Sequence, residues 1–519
     1  GKLRFKAPVP IGKWDGVKNL TSYQVVDCIQ GSNQLSGTFT EDCLTINVYT
    51  PQTVNFSSPL PVMFWIYGGG FVAGSTNPSY QGADFLLDQG IVFVSVNYRV
   101  SALGFLNLGT EDAPGNAGLK DQNLGLQWVQ REISKFGGDP NKVTIFGESA
   151  GSASVIFHYL SPKSKGLFRG AIAHSGNALA DWAFLESGFI DRGKQFSDLM
   201  NCTNKDGSVN ISCLQTANVS LFSMFQQIPL SEEVNIRGSG LAFVPSLEKD
   251  SDHAFLADTP LNLLRTNKTS TVPLIMGVNH DEGLMEVKPD DSTFYKELVS
   301  KLSYFIPKTI RDKKSSEQIA KDAAAINKEY LHNTIPSRGN YDGFIKLYTD
   351  FMFAVNTAQF ALQRSDQGNV YLYHFDYDGS YRQSNTAALN MNLTGVNHGE
   401  EKRYFLTQSD LNQYGTAENV TEKKVLRRLV KMLTNFAKTG NPTPSDSSTK
   451  AVLGDFLWYP ITSNATRFAV ITDMIEMSQD NFHEKAVKFW QEINSNSSTF
   501  EIQCSLFLTF LSLMLNRIL

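Results

Sequence analysis

The stretch that most constrains the fold is KVTIFGESAGSASV, residues 142–155, in which a strand pattern, a sharp turn and the start of a helix follow one another without a spacer. Val143 to Phe146 is a short run of β-branched and aromatic residues, the pattern of a strand covered on both faces. It stops at Gly147, and Gly147 to Gly151 spell G-x-S-x-G. Glycine on each flank removes the Cβ atoms that would clash where two backbones approach, so Ser149 can hold a strained φ/ψ with its hydroxyl exposed. A helix of small residues starts at the serine, and its first amides face any anion that forms there. Position and field both favour attack by Ser149 on a carbonyl.

Around this stretch the chain alternates strand and helix patterns. Strand-like apolar runs occupy 44–50, 62–68, 91–100, 143–146, 167–176, 271–278 and 369–377. Residues 124–136 place Leu124, Leu126, Trp128, Val129, Ile133 and Phe136 at helical spacing before a Gly-Gly-Asp-Pro stop. Residues 423–442 form a second amphipathic helix pattern, closed by Gly440 and Pro442. The Lys-, Asp- and Ala-rich segment 308–330 is expected to be helical with a solvated charged face, and 181–260 to be an irregular excursion over the sheet. Alternation of this kind predicts an α/β fold with a mostly parallel sheet between helices. With no Pro/Ser-rich linker to divide the chain, a single domain is expected over 1–494, followed by an apolar tail, 495–519.

The 519 residues, 41% of them apolar and 19% charged, are enough for a large core. A formal net charge of −5, without a basic stripe, argues against a nucleic-acid partner. Ten N-x-[ST] sequons, at Asn19, Asn55, Asn201, Asn210, Asn218, Asn267, Asn392, Asn419, Asn464 and Asn496, predict a glycosylated surface and a secretory route. The five cysteines agree: Cys28 with Cys43 and Cys202 with Cys213 close short loops and read as disulfides, leaving Cys504 over. Neither a C-x-x-C motif nor a histidine cluster accompanies them, so no metal or other cofactor is expected. The chain opens on GKLRFKAPVP without a signal peptide, and an N-terminal segment is expected to be missing. The apolar run 504–515 is too short to span a bilayer. It reads as a glycosylphosphatidylinositol-attachment signal at the cell surface, cleaved near Asn496, or as the apolar tail of a secreted enzyme, or as a dimer contact through Cys504.

A serine nucleophile needs a base, an orienting acid and donors for an oxyanion. His374 lies inside a strand pattern, whereas His398, in TGVNHGEE, lies in a Gly-flanked loop after it. The loop GVNHDEG follows the 271–278 strand and offers Asp281 and Glu282, between which the pattern alone does not choose. WIYGGGF, 65–71, follows another strand; its side-chain-free glycines let backbone amides turn inward, and Ala150 adds the amide after the serine. The dinucleotide fingerprint G-x-G-x-x-G is not matched there, and no helix start follows.

Taken together, FGESAG, EDCLTINVYTP at 41–51, WIYGGGF, NYRVSALGFL at 97–106, GNAGLKDQNLGLQWV at 115–129, GVNHDEG and GVNHGEE resemble the type-B carboxylesterase and cholinesterase family, in order and over nearly the whole chain. The resemblance implies an α/β-hydrolase fold and serine carboxylic-ester hydrolysis. By position it implies Ser149 as nucleophile, His398 as general base and then acid, and Glu282 rather than Asp281 as the orienting carboxylate. It further implies Gly69, Gly70 and Ala150 as oxyanion donors, the same two disulfides, and small-molecule esters as substrates, with organophosphates attacking the same serine. The alternative it carries is a non-catalytic adhesion or surface protein. Such proteins lose triad residues, and here none is lost.

Departures from the family bear on substrate. The Cys28–Cys43 loop is short and holds no Trp or Tyr, so the cation–π site of cholinesterases is absent. Ser239 and Leu241 stand before Phe243 where cholinesterases narrow the acyl pocket with phenylalanine, which predicts room for a bulkier acyl group. Tyr67 stands where carboxylesterases commonly have histidine, Ser101 where glycine is usual, and Lys402 where leucine is more usual. The overall pattern is most similar to insect carboxylesterases.

Overall fold

The computed structural model describes residues 1–22, 26–31, 38–222, 228–238, 240–266, 268–289, 291–381, 393–409 and 421–495. Ser239, Asn267, Asn392, Asn419, Asn496, Cys504 and the apolar run 504–515 lie outside the described residues.

The apolar runs pair into one nine-stranded sheet. In chain order its strands are β1 (Ile46–Tyr49), β2 (Leu60–Ile66), β3 (Val92–Val96), β4 (Gly138–Glu148), β5 (Gly170–His174), β6 (Leu274–Asn279), β7 (Val370–Phe375), β8 (Phe468–Ile471) and β9 (Ile475–Met477). Their order across the sheet is β1-β3-β2-β4-β5-β6-β7-β8-β9. The pairings β1·β3 and β8·β9 are antiparallel. All the others are parallel. The interior strands β3, β5 and β6 are buried at every residue, as a sheet covered on both faces requires, whereas β1 at the edge is only half-buried.

Helices α1 (Ala117–Glu132), α2 (Ala150–Leu160), α3 (Asp342–Thr349), α4 (Val355–Arg364), α5 (Thr421–Thr439) and α6 (Glu484–Ser495) are the principal ones of the cover. Helix α2 packs on β4, β5 and β2, and α5 packs on β2 and β4. Gly440, at φ 79°, ends α5 as the sequence indicates, its amide returning to the Phe436 carbonyl at 2.7 Å.

One sequence expectation needs correction. Helix α1 begins seven residues before the expected start at 124, because AGLKDQN carries little apolar periodicity yet is buried through polar contacts. Lys120 pairs with Glu248, Gln122 contacts Ser154 and His158, and Asn123 bonds Ser164. The segment 308–330 is helical as expected, with Lys308, Asp312, Lys313, Glu317, Lys321, Lys328 and Glu329 exposed. It divides into Lys308–Arg311, Ser316–Ile326 and a π-turn at Asn327–Leu331. Its Asp322 is buried in a 2.6 Å pair with Lys314, which also bonds the Ile493 carbonyl and so ties this segment to α6.

Candidate active site

The sheet order reverses between β2 and β4: β3 lies on one side of β2, β4 and β5 on the other. Loops leaving the carboxyl ends of strands at such a switch point diverge and leave a crevice. The loop after β2 carries Gly68 to Gly70, and the turn after β4 carries Ser149.

Ser149 sits between β4 and α2 at φ 60°, ψ −123°, a strained conformation for a residue with a Cβ. Its amide is held by the His174 carbonyl at 2.9 Å. The flanking glycines make the turn possible. A Cβ on Gly147 would lie 2.5 Å from the Gly151 carbonyl oxygen, and one on Gly151 would overlap the Ile66 carbonyl oxygen. The hydroxyl of Ser149 has no hydrogen-bond partner among the described residues.

Beside the turn, Gly69 and Gly70 adopt φ 104° and 62°. The Gly69 carbonyl takes the amides of Val72 and Ala73 at 3.0 and 3.1 Å, folding the loop back on itself. The amides of Gly69, Gly70 and Ala150 donate to no group among the described residues. The loop is braced at its root by Tyr67 stacked on Tyr98, centroids 4.4 Å apart, each hydroxyl bonding the other's carbonyl. Gln30 clamps Gly74 through both its amide atoms, and the Ser101 amide holds the Phe71 carbonyl at 2.7 Å. Ser101 itself lies at φ 56°, which accounts for the glycine usual there; its hydroxyl bonds the Val72 carbonyl.

The loop after β6 separates the two carboxylates that the sequence left open. Glu282 is fully buried and places Oε2 2.5 Å from His398 Nδ1, while its Oε1 accepts the Asn279 amide at 2.7 Å. Asp281 instead contacts His280 at 2.9 Å and accepts the Val396 amide at 3.0 Å, fixing the loop that carries His398. His374 is inside β7 and takes no part in this contact.

The Nε2 edge of His398 lies 3.3 Å from Oε1 of Glu148, the residue before the serine. Glu148 is buried, and its Oε2 accepts a 3.0 Å hydrogen bond from Lys402. Glu401, also buried, accepts from Asn279 at 2.5 Å and from Ser175 at 3.4 Å. Burial disfavours a charged imidazole, but Glu282 and Glu148, with the Glu282 hydrogen bond and Glu401 behind them, outweigh it and lift the His398 pKa to about 9. Burial likewise opposes ionisation of Glu148, yet Lys402 and then His398 hold it below the usual carboxylate range. Glu401 is pushed up to about 8 by burial and by Glu148 and Glu282, against the Asn279 hydrogen bond and His398. Sequence reasoning passed over Glu148 and Glu401, although both lie inside quoted motifs, as the x of G-x-S and two residues after Gly399.

Apolar and aromatic groups wall the crevice. The Phe353 ring lies 4.8 Å from the His398 ring, Trp182 5.8 Å from Phe353, and Phe71 6.4 Å from Trp182. Phe353 belongs to a π-turn, Asp350–Ala354, inserted between α3 and α4, and the Met352 carbonyl in that turn accepts the Trp182 indole N–H at 3.0 Å. Leu241 packs against the Gly70 backbone, where a Cβ would come within 3.1 Å of it. Among the described residues no group of three or more His, Cys, Asp or Glu side chains is placed to hold a metal ion. Nor is any helix among them long and apolar enough to cross a membrane.

A mostly parallel sheet with a strained serine turn at its switch point, and a histidine and carboxylate from later loops beside it, defines an α/β-hydrolase. Residues 1–490 match the family model described as Carboxylesterase family, and the chain belongs to that family. Its relatives include Venom carboxylesterase-6 of Apis mellifera, 31% identical over 96% of this chain and 88% of that protein. A carboxylic ester hydrolase of Bombus ignitus is 29% identical with the same two coverages. The bile salt-activated lipase of Mus musculus is 30% identical over 92% of this chain and 79% of its own length. The chain is thus an enzyme of the carboxylic ester hydrolase type. Both disulfides expected from the sequence are formed, Cys28–Cys43 with Cα atoms 4.9 Å apart and Cys202–Cys213 with Cα atoms 5.5 Å apart.

Proposed function

We propose that this enzyme hydrolyses small to medium carboxylic esters through Ser149, His398 and Glu282. The observation that carries the reading is that His398 Nδ1 is held on buried Glu282 while the opposite edge of the ring faces the Glu148–Ser149 turn. Ser149 Oγ attacks the ester carbonyl as His398 Nε2 takes its proton, and the carbonyl π pair moves onto oxygen. The amides of Gly69, Gly70 and Ala150, which have no other partner among the described residues, receive that oxyanion. Collapse breaks the C–O bond to the alcohol, which leaves with the proton from His398. Water then repeats the sequence on the acyl-serine, releasing the carboxylic acid and free Ser149. Glu282 keeps the proton on Nδ1 and stabilises the imidazolium between the two transfers.

Leu241 beside Gly70 places a branched aliphatic wall next to the oxyanion amides, and we assign the acyl group to that side. Relatives named carboxylesterase and lipase support carboxylic esters as the substrate class, with lipid-derived esters among them. A secretory route is supported by the two disulfides and by exposed sequon asparagines at 19, 55, 201, 218 and 464. The test is hydrolysis of p-nitrophenyl esters from acetate to caproate by the full chain and by Ser149→Ala. Turnover that peaks beyond acetate and vanishes in Ser149→Ala is expected; equal rates in the folded variant and the parent would overturn the reading.

A further inference from the structure

Lys402 has a direct partner in the serine turn, and the reaction just described does not use it. Its Nζ holds Oε2 of Glu148 at 3.0 Å, and Oε1 of the same carboxylate lies 3.3 Å from His398 Nε2, the nitrogen that must accept the Ser149 proton. The lysine side chain is partly exposed while the Glu148 carboxylate is buried, so the charge on Glu148 depends on this partner. We propose that Lys402 is a positioning residue of the esterase: by binding one oxygen of Glu148 it shares that carboxylate's charge and weakens its hold on His398 Nε2, the nitrogen that serves Ser149. The proposal rests on the assignment of Ser149 and His398 made above.

Two negative groups bracket the imidazole, Glu282 from the loop after β6 and Glu148 from the end of β4. Glu401, on the histidine's own segment, adds to them, and Glu286, four residues beyond Glu282, interacts electrostatically with the ring. His174, from the end of β5, faces Glu148 but is kept neutral by burial, its pKa lowered to about 3. Among the described residues Lys402 is the lysine hydrogen-bonded to Glu148, while Lys288 acts on the more distant Glu286. Without Lys402, Glu148 has His398 as its remaining cationic hydrogen-bonding or ion-pair partner, and an imidazolium held between two carboxylates gives up its proton less readily.

The experiment is the pH dependence of kcat and kcat/KM for a p-nitrophenyl ester with the full chain, Ser149→Ala, Lys402→Met, Lys402→Arg, Glu148→Gln and the Lys402→Met/Glu148→Gln double variant. Lys402→Met is expected to move the acid limb of kcat/KM upward by about one pH unit and to lower kcat with KM little changed. Lys402→Arg restores the parental limb, and Lys402→Met moves nothing in the Glu148→Gln background. Lys402→Gln, which keeps a polar head at the partly exposed position, gives the same upward movement. An unmoved limb in folded Lys402→Met and Lys402→Gln overturns the proposal. So does a movement of equal size in the Glu148→Gln background, which would make Lys402 act without Glu148. If Ser149→Ala is inactive while the limb stays put, the lysine's role alone fails; if Ser149→Ala retains activity, the site assignment falls and this proposal with it.

Discussion

His398 is surrounded by more negative charge than a general base needs, and this sets how activity should respond to pH. The base must be neutral to accept the Ser149 proton, so activity is low while His398 is protonated. With its pKa lifted to about 9, kcat/KM is expected to rise with pH through that value. A pH–rate profile measures it, and a limb near the ordinary histidine value would contradict the field described. The same elevation stabilises the folded chain below about pH 6.5, the unperturbed value, and that contribution is lost as pH rises through about 9. Glu282 and Asp281 separate by their partners. Glu282→Gln should lower kcat on the order of 10³-fold or more, because the amide no longer holds the proton on Nδ1. Asp281→Asn should cost far less, because Asp281 anchors the loop backbone at Val396 instead of touching His398. Steady-state kinetics on the two variants decide this, and equal losses would count against the assignment.

At the scale of elements, the serine turn holds its shape because backbone meets backbone with no side chain between. Gly151→Ala would drive a Cβ into the Ile66 carbonyl and to 2.8 Å from the Tyr67 carbonyl carbon, both on or beside β2. A loss of about 3 kcal/mol or a failure to fold is expected, read by urea denaturation. Gly90→Ala, with nothing within 4 Å of the added Cβ but a φ of 71°, should cost only about 1 kcal/mol. What the sequence shows of the fold follows the same division. Strands β2 to β7 were legible because burial on both faces leaves an unbroken apolar run, and half-buried β1 because the β-branched run 44–50 extends beyond its ends. The first half of α1 was not, since Lys120, Asp121, Gln122 and Asn123 are buried by polar pairing, which leaves no periodic signal. Strands β8 and β9 were missed because they are short and half-buried. In the candidate site, Ser149, the glycine loop and His398 lie at strand ends and carry local signals. The Lys402–Glu148 contact spans 254 residues of sequence, and no spacing within either motif announces it.

Over the whole molecule, the sheet and its switch point collect groups from the ends of four strands, while two disulfides pin loops far apart in sequence. The Cys202–Cys213 bridge closes a loop with a sequence separation of 11, so replacing both cysteines by serine should destabilise the chain by about 3 kcal/mol. Thermal or urea unfolding measures that loss, with esterase activity retained at low temperature because neither cysteine borders the serine turn. Glycosidase treatment of protein from a secretory host should lower its mass if the exposed sequons carry glycans. The most direct test of the account is to treat the full chain with a fluorophosphonate and locate the adduct by peptide mass spectrometry. A single phosphonylated residue, Ser149, with labelling lost in Ser149→Ala and rising with pH as His398 deprotonates, is the expected result. Labelling at another residue, or none in folded protein exposed to the fluorophosphonate, would contradict the assignment of Ser149 as the nucleophile.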